Sequence, residues 1–278
     1  MKFPRALRSL FRRNPDSPAS VGKRVEELEI RLSQFISLVS LKDQLPPIPP
    51  KHLQIRVAGA YYPTFFQHGK EMFYDLEDFL KSEGLSLFDF DNILDFGCGC
   101  GRFMIPMSFL LSPKKLSGTD IDKEAIQWFQ ANYPCFNDLD VNGFTPPTKY
   151  ADATFDFVFS VSIFTHLPED LQHVWLKELS RIIKPGGHGI FTTHGENHFH
   201  HLNKAGRAEL MTKGFYYLAG DTTDGLPEFY RTSFHTGEYI QREWSRYFDV
   251  LAIRKKGVGN GQDAVLVKKT LRLVAEEQ

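Results

Sequence analysis

The chain has 278 residues, 42% of them hydrophobic and 14% aromatic, a size and composition that suit one catalytic domain plus an accessory segment. Its formal charge of −1 supplies no global field for nucleic acid, so no nucleic-acid partner is expected. No hydrophobic run approaches the roughly 20 residues that cross a bilayer, and three cysteines without a signal peptide point to reduced thiols and a cytoplasmic location.

The first elements carry charge and periodicity. Over residues 1–19, Lys2, Arg5, Arg8, Arg12 and Arg13 surround Phe3, Leu7, Leu10 and Phe11 at helical spacing. Such a basic amphipathic tail suits peripheral contact with a membrane surface or an acidic partner, and equally a solvated end. Over residues 20–45, Val21, Val25, Leu28, Leu32, Phe35 and Val39 form a short a/d stripe. That helix either builds a homo-oligomer or packs on its own domain. The proline run 46–50 ends it as a stiff linker. The main domain is expected over 51–270, with a disordered tail over 271–278. Its opening 40 residues read as helical and aromatic, with residues 71–81 packing on a sheet and Gly69 as a helix break.

The run Ile93-Leu94-Asp95-Phe96-Gly97-Cys98-Gly99-Cys100-Gly101-Arg102 reads as a buried strand, a glycine-rich turn and the start of a helix over 102–111. A dinucleotide fingerprint needs a third glycine where Arg102 stands. What is present is G-x-G-x-G with an acid two residues upstream. A second strand ends in Asp120, 23 positions after Gly97, placed as a ribose-binding acid at a strand tip would be. Asp122 caps the next helix, which Tyr133-Pro134 ends. A third strand is expected over 138–144 and a β-prone fourth over 155–160. A helix begins at Pro168, with Leu171, Val174, Trp175, Leu179, Ile182 and Ile183 on one face. Lys184-Pro185-Gly186-Gly187 stops it before a fifth strand over 189–193. Periodicity then fades over 196–234. Thr236 caps a helix, and strands over 248–254 and 264–268 close the domain.

The segments "ILDFGCGCGRF", "KLSGTDID", "YADATFDFVFSVSIFTHL" and "LKELSRIIKPGGHGIFTTHG" together resemble class I S-adenosylmethionine-dependent methyltransferases. The resemblance implies an α/β fold: a Rossmann-like, doubly wound, mostly parallel seven-stranded sheet with an antiparallel last strand. It also implies S-adenosyl-L-methionine as cofactor. Gly97, Cys98, Gly99 and Gly101 would cradle its amino-acid end, and Asp95 would hold the ammonium. Asp120 would accept both ribose hydroxyls. Ile121 would flank the adenine opposite Asn142 and Phe144, and Ser160 at the end of the fourth strand joins the cofactor set.

Other chemistries fit less well. A nicotinamide oxidoreductase fails on the glycine spacing. His194, His198, His200 and His201 suggest metal ligation, yet no cysteine pair or H-E-x-x-H accompanies them. A non-catalytic scaffold that binds the cofactor is the alternative from another class. The segment Ser160-Val161-Ser162-Ile163 lacks the Asn/Asp-Pro-Pro-Tyr/Phe and Pro-Cys signatures of DNA-base enzymes. The resulting expectation is oxygen or nitrogen methylation of a small-molecule or glycan-like acceptor, by analogy with bacterial polysaccharide-related enzymes. His194, directly after the fifth strand, is the expected general base, with His166, Tyr230 and His235 as rivals.

Overall fold

The runs Ile93–Phe96 (β1) and Phe155–Ser160 (β4) are buried almost throughout, as inner strands covered on both faces must be. Phe157 and Phe159 point into one core and Val158 into the other, the two-residue alternation of a strand made visible. The computed structural model describes residues 47–218, 227–259 and 261–270. Pro49–Gln278 is one compact unit. The expected tail, heptad helix and C-terminal tail lie outside the described residues.

Seven strands form the main sheet in the order β3-β2-β1-β4-β5-β9-β8. The others are Leu116–Asp120 (β2), Leu139–Val141 (β3), Ile183–Thr193 (β5), Asp249–Val258 (β8) and Gln262–Lys268 (β9). β1 to β5 run parallel. The last strand, β9, is antiparallel to both neighbours, β5 and β8. Chain order reverses between β1 and β4, which leaves a crevice at their carboxyl ends.

Helices cover both faces. Lys51–Ala58 (α1) and Phe65–Ser82 (α2) precede the sheet, followed by Met104–Met107 (α3) and Lys123–Asn132 (α4). Glu169–Ile182 (α5) packs Trp175, Leu176 and Leu179 on the opposite face beside Ile240 and Trp244 of Gly237–Trp244 (α7). Val174, expected on that buried face, is about half exposed. The caps follow the sequence: Asp122 accepts from the amides of Glu124 and Ala125, and Thr236 from that of Tyr239.

Four expectations change. The helix over 102–111 contracts to the four residues of α3, because Pro106 has no N–H to offer the Arg102 carbonyl. That carbonyl lies against Gly69, which sits inside α2 rather than breaking it. The Pro-Gly-Gly turn does not separate helix from strand: Ile183 opens β5 and the turn is absorbed as a register shift against β4. The described residues within 196–235 also form regular elements. They contain a 3-10 turn Glu196–His201, the helix Lys204–Lys213 (α6) and a hairpin of Phe215–Leu218 (β6) with Thr232–His235 (β7). Four-residue strands give too little alternation to be read from sequence.

A Cβ on Gly69 would stand 1.9 Å from the Arg102 carbonyl oxygen. Gly69→Ala must therefore push α2 off the turn that follows β1. It is expected to destabilise the protein by about 1–3 kcal/mol, seen as a lower midpoint in urea unfolding followed by circular dichroism. An unchanged midpoint contradicts this packing.

Candidate active site

At the end of β1 the chain turns at Gly97 and Gly99, both with positive φ. A Cβ at Gly97 would stand 2.5 Å from Ile163, and one at Gly99 would stand 2.5 Å from Val57. The turn is thus closed from above by α1 and from the side by the loop after β4. Asp120, at the tip of β2, accepts from the Gly99 amide at 2.8 Å and from the Asp122 amide at 2.8 Å. One carboxylate ties the glycine turn to the start of α4. Burial pushes its pKa up to about 6, although the backbone amides oppose the shift.

A cavity partly open to solvent lies over this turn. Of the expected residues, Gly97, Asp120, Ile121, Asn142, Phe144 and Tyr230 line it. Asn142 accepts from Thr119 Oγ1 at 2.8 Å and donates to the Gly143 carbonyl at 2.8 Å. Trp175 Nε1 donates to the Phe144 carbonyl at 3.2 Å, which fixes that wall.

Other expected residues stand behind the surface. Cys98 is buried, with its sulfur beside Gly118 of β2. Gly101 makes room for the ring of Phe129. Ser160 is fully buried and its Oγ has no partner. His235 is buried, with Nε2 2.9 Å from Gln172 Oε1. Because Gln172 Nε2 donates to two carbonyls, its oxygen faces His235 and the imidazole is the donor. This histidine sits in the core rather than on the cavity wall, held by a bond the sequence does not reveal. His166 and His194 lie one layer back, with the His166 ring stacked on Tyr230 at 4.4 Å. Tyr230 in turn donates to the Ser162 carbonyl at 2.9 Å.

Sequence reasoning missed several residues. Arg56 and Val57 of α1 line the cavity. Arg56 pairs with Asp122 and, at 2.7 Å, with Glu124, clamping α1 across the end of α4. Phe229 reaches the cavity from the stretch between β6 and β7 and meets Phe144 edge-on at 5.6 Å. Arg102 is buried and its Nε has no partner. Asp95 is also buried, with Oδ2 unpartnered. Burial holds the Asp95 carboxyl well above the usual carboxylate range, and the charge of Arg102 offsets this in part. No sequence signal marked Arg102 beyond its failure to be glycine.

Residues 93–187 match the sequence profile of a family described as a methyltransferase domain. The chain carries a class I S-adenosylmethionine-dependent methyltransferase domain. A structure from Pyrococcus horikoshii OT3 shares the fold with a TM-score of 0.50 and 18% identity, covering 75% of this chain and 96% of that one. Two curated relatives come from Schizosaccharomyces pombe. The tRNA N(3)-methylcytidine methyltransferase trm141 is 27% identical over 129 residues, 44% of this chain and 49% of that protein. The tRNA N(3)-methylcytidine methyltransferase trm140 is 22% identical over 241 residues, 81% of this chain and 73% of that protein. The chain thus spans about half the length of the first relative.

These relatives overturn the expectation of a small-molecule or glycan-like partner and of no nucleic acid, because both are named for tRNA. The exclusion of nucleic acid rested on a summed charge, which says nothing about a local site, and the glycan-like acceptor rested on absent motifs and analogy. The expected membrane contact and homo-oligomer helix fall on residues outside those described. Among the described residues no helix is long and apolar enough to cross a membrane, and no three His, Cys, Asp or Glu side chains are grouped to hold a metal ion.

S-adenosylmethionine is the cofactor of this domain, and the residues present fit it. An unpartnered carboxylate oxygen on Asp95 and an unpartnered guanidinium N–H on Arg102 suit the ammonium and carboxylate of its amino-acid end. Asp120 suits the ribose hydroxyls. Only the ionised Asp120 can accept from both hydroxyls, so protons and cofactor compete below its pKa of about 6. Affinity for S-adenosylhomocysteine is expected to be full above about pH 7 and to fall about tenfold by pH 5 through this group. Calorimetry on the wild type and on Asp120→Asn checks this: the variant binds weakly and loses that part of the fall. A wild-type affinity independent of pH contradicts the assignment.

Proposed function

We propose that the protein transfers a methyl group from S-adenosylmethionine to RNA, with a tRNA base as the acceptor class. The observation that carries this reading is the 241-residue likeness to trm140, which extends well beyond residues 93–187. The site is compatible with a planar acceptor. Tyr230 presents a flat ring, backed by His166, at the cavity wall, and proteins commonly hold an unstacked base against such a face.

The cofactor supplies the chemistry, a methyl group activated on a sulfonium. The chain's residues provide position. The glycine turn, Asp120 and Asp95 fix the donor end, and α1, clamped by Arg56, covers it from above. The loop after β4 and the segment before β7 set where the acceptor comes to rest. Holding both partners in line removes most of the entropic barrier to displacement. His194 and His166 are proposed to act on the acceptor side, and Arg102 on the cofactor's carboxylate.

The test is transfer of labelled methyl from S-adenosylmethionine by the full chain to total tRNA, followed by digestion to nucleosides. Label in one nucleoside, lost by about 10²-fold or more in Asp120→Ala, is expected. Label that enters only a fraction free of nucleic acid contradicts the RNA reading.

A further inference from the structure

The loop after β4 holds Ser162 at φ +65°, in the left-handed region that favours glycine. A serine is strained there and stays only where its surroundings hold it. Three other segments do so. The Ser162 amide donates to Thr192 Oγ1 of β5 at 2.9 Å, and its carbonyl accepts from the Tyr230 hydroxyl at 2.9 Å. Its Oγ accepts from Nε2 of Gln262, the first residue of β9, at 2.7 Å. Thr192 Oγ1 donates to Gln262 Oε1 at 2.6 Å and so closes a ring of three side chains.

The ring has one hydrogen to spare. Thr192 is fully buried and decides which way the Gln262 amide faces. With that amide turned over, Thr192 Oγ1 would accept from both Gln262 and the Ser162 amide, and its own hydrogen would have no acceptor among the described residues. In the orientation that satisfies Thr192, Ser162 Oγ accepts from Gln262, and its hydrogen goes to no group among the described residues. Ser162 is half-buried and lines the cavity between Val161 and Ile163. On the wall formed by this loop and the segment before β7, the polar side chains are Ser162 and Tyr230. The Tyr230 hydrogen is already given to the Ser162 carbonyl.

Asp95, Arg102 and Asp120 suit the polar groups of the cofactor's amino-acid end and ribose, which leaves the Ser162 hydrogen for the second molecule that enters the cavity. We propose that the Ser162 hydroxyl orients the methyl acceptor by donating to an oxygen or unprotonated ring nitrogen on its edge, while the acceptor's plane lies on Tyr230. The proposal rests on the RNA reading and adds to it how the base is held. The bond from the Tyr230 hydroxyl to the Ser162 backbone puts this donor at the rim of the ring. Glycine would fit the backbone without strain but would bring no hydroxyl. Gln262 acts through Ser162 and is a positioning residue: by donating to Oγ it turns the serine's own hydrogen away from the ring.

Two measurements test this. The first is a neutron crystal structure of the full chain with S-adenosylhomocysteine in deuterium oxide. The Ser162 deuteron is expected to point into the cavity, with the Gln262 deuterons facing Ser162. A Ser162 deuteron directed at Gln262 overturns the proposal. The second is the initial rate of labelled methyl transfer at limiting total tRNA, at pH 8. Ser162→Gly removes the hydroxyl and suits the backbone. Gln262→Glu keeps both side-chain bonds but, as a carboxylate, draws the Ser162 hydrogen to itself. Each should lower the rate by roughly three- to tenfold, with S-adenosylhomocysteine affinity within about twofold of wild type. The double variant should fall no further than Ser162→Gly, since both changes remove one and the same bond. A structural role alone leaves Gln262→Glu at the wild-type rate. That result, additive losses, or a loss of cofactor affinity overturns the proposal. If no RNA is labelled, the RNA reading fails by itself and the neutron structure still decides where the hydroxyl points.

Discussion

The site depends on one carboxylate. Asp120 stands where chain order reverses in the sheet, and its two oxygens hold the amides of Gly99 and Asp122. Through the first it fixes the turn that follows β1, and through the second the first turn of α4. A charged group in that place is costly, which is why its pKa rises. The fold tolerates the cost because the carboxylate opens onto the cavity and has backbone donors on both oxygens. The Val57 contact at Gly99 and the Arg56 clamp on Asp122 both bear on the segments held by those two hydrogen bonds.

The second organising feature is the way β7 is stitched to the sheet. The Ser233 amide donates to the Thr165 carbonyl at 2.7 Å, and the His235 amide donates to the His194 carbonyl at 3.0 Å. These bonds bind the hairpin to the loop after β4 and to the end of β5. Tyr230, immediately before β7, is thereby placed on the cavity wall, and its ring lies on His166. That wall of the cavity is thus assembled from segments far apart in sequence.

Local signals were legible in the sequence, and long-range ones were not. The β1 turn, the place of Asp120 and the Asp122 and Thr236 caps follow from residue type and spacing over a few positions, and the antiparallel last strand from the family resemblance. Arg102 was read only as a missing glycine, because its worth comes from burial beside Asp95. Arg56 gave no signal, since its partners Asp122 and Glu124 lie more than sixty positions away. Gly69 was read as a helix break, and Pro106 lay within the helix expected over 102–111. They are one contact, between the carbonyl that Pro106 leaves without a donor and the glycine that makes room for it. The partner class was misjudged because formal charge is a property of the whole chain, whereas recognition is local.

A crystal structure of the full chain with S-adenosylhomocysteine tests the central claim most directly. The account predicts both ribose hydroxyls within hydrogen-bond distance of Asp120, with the ammonium toward Asp95 and the carboxylate toward Arg102. Ribose hydroxyls turned away from Asp120, or a cofactor bound elsewhere in the molecule, would contradict it.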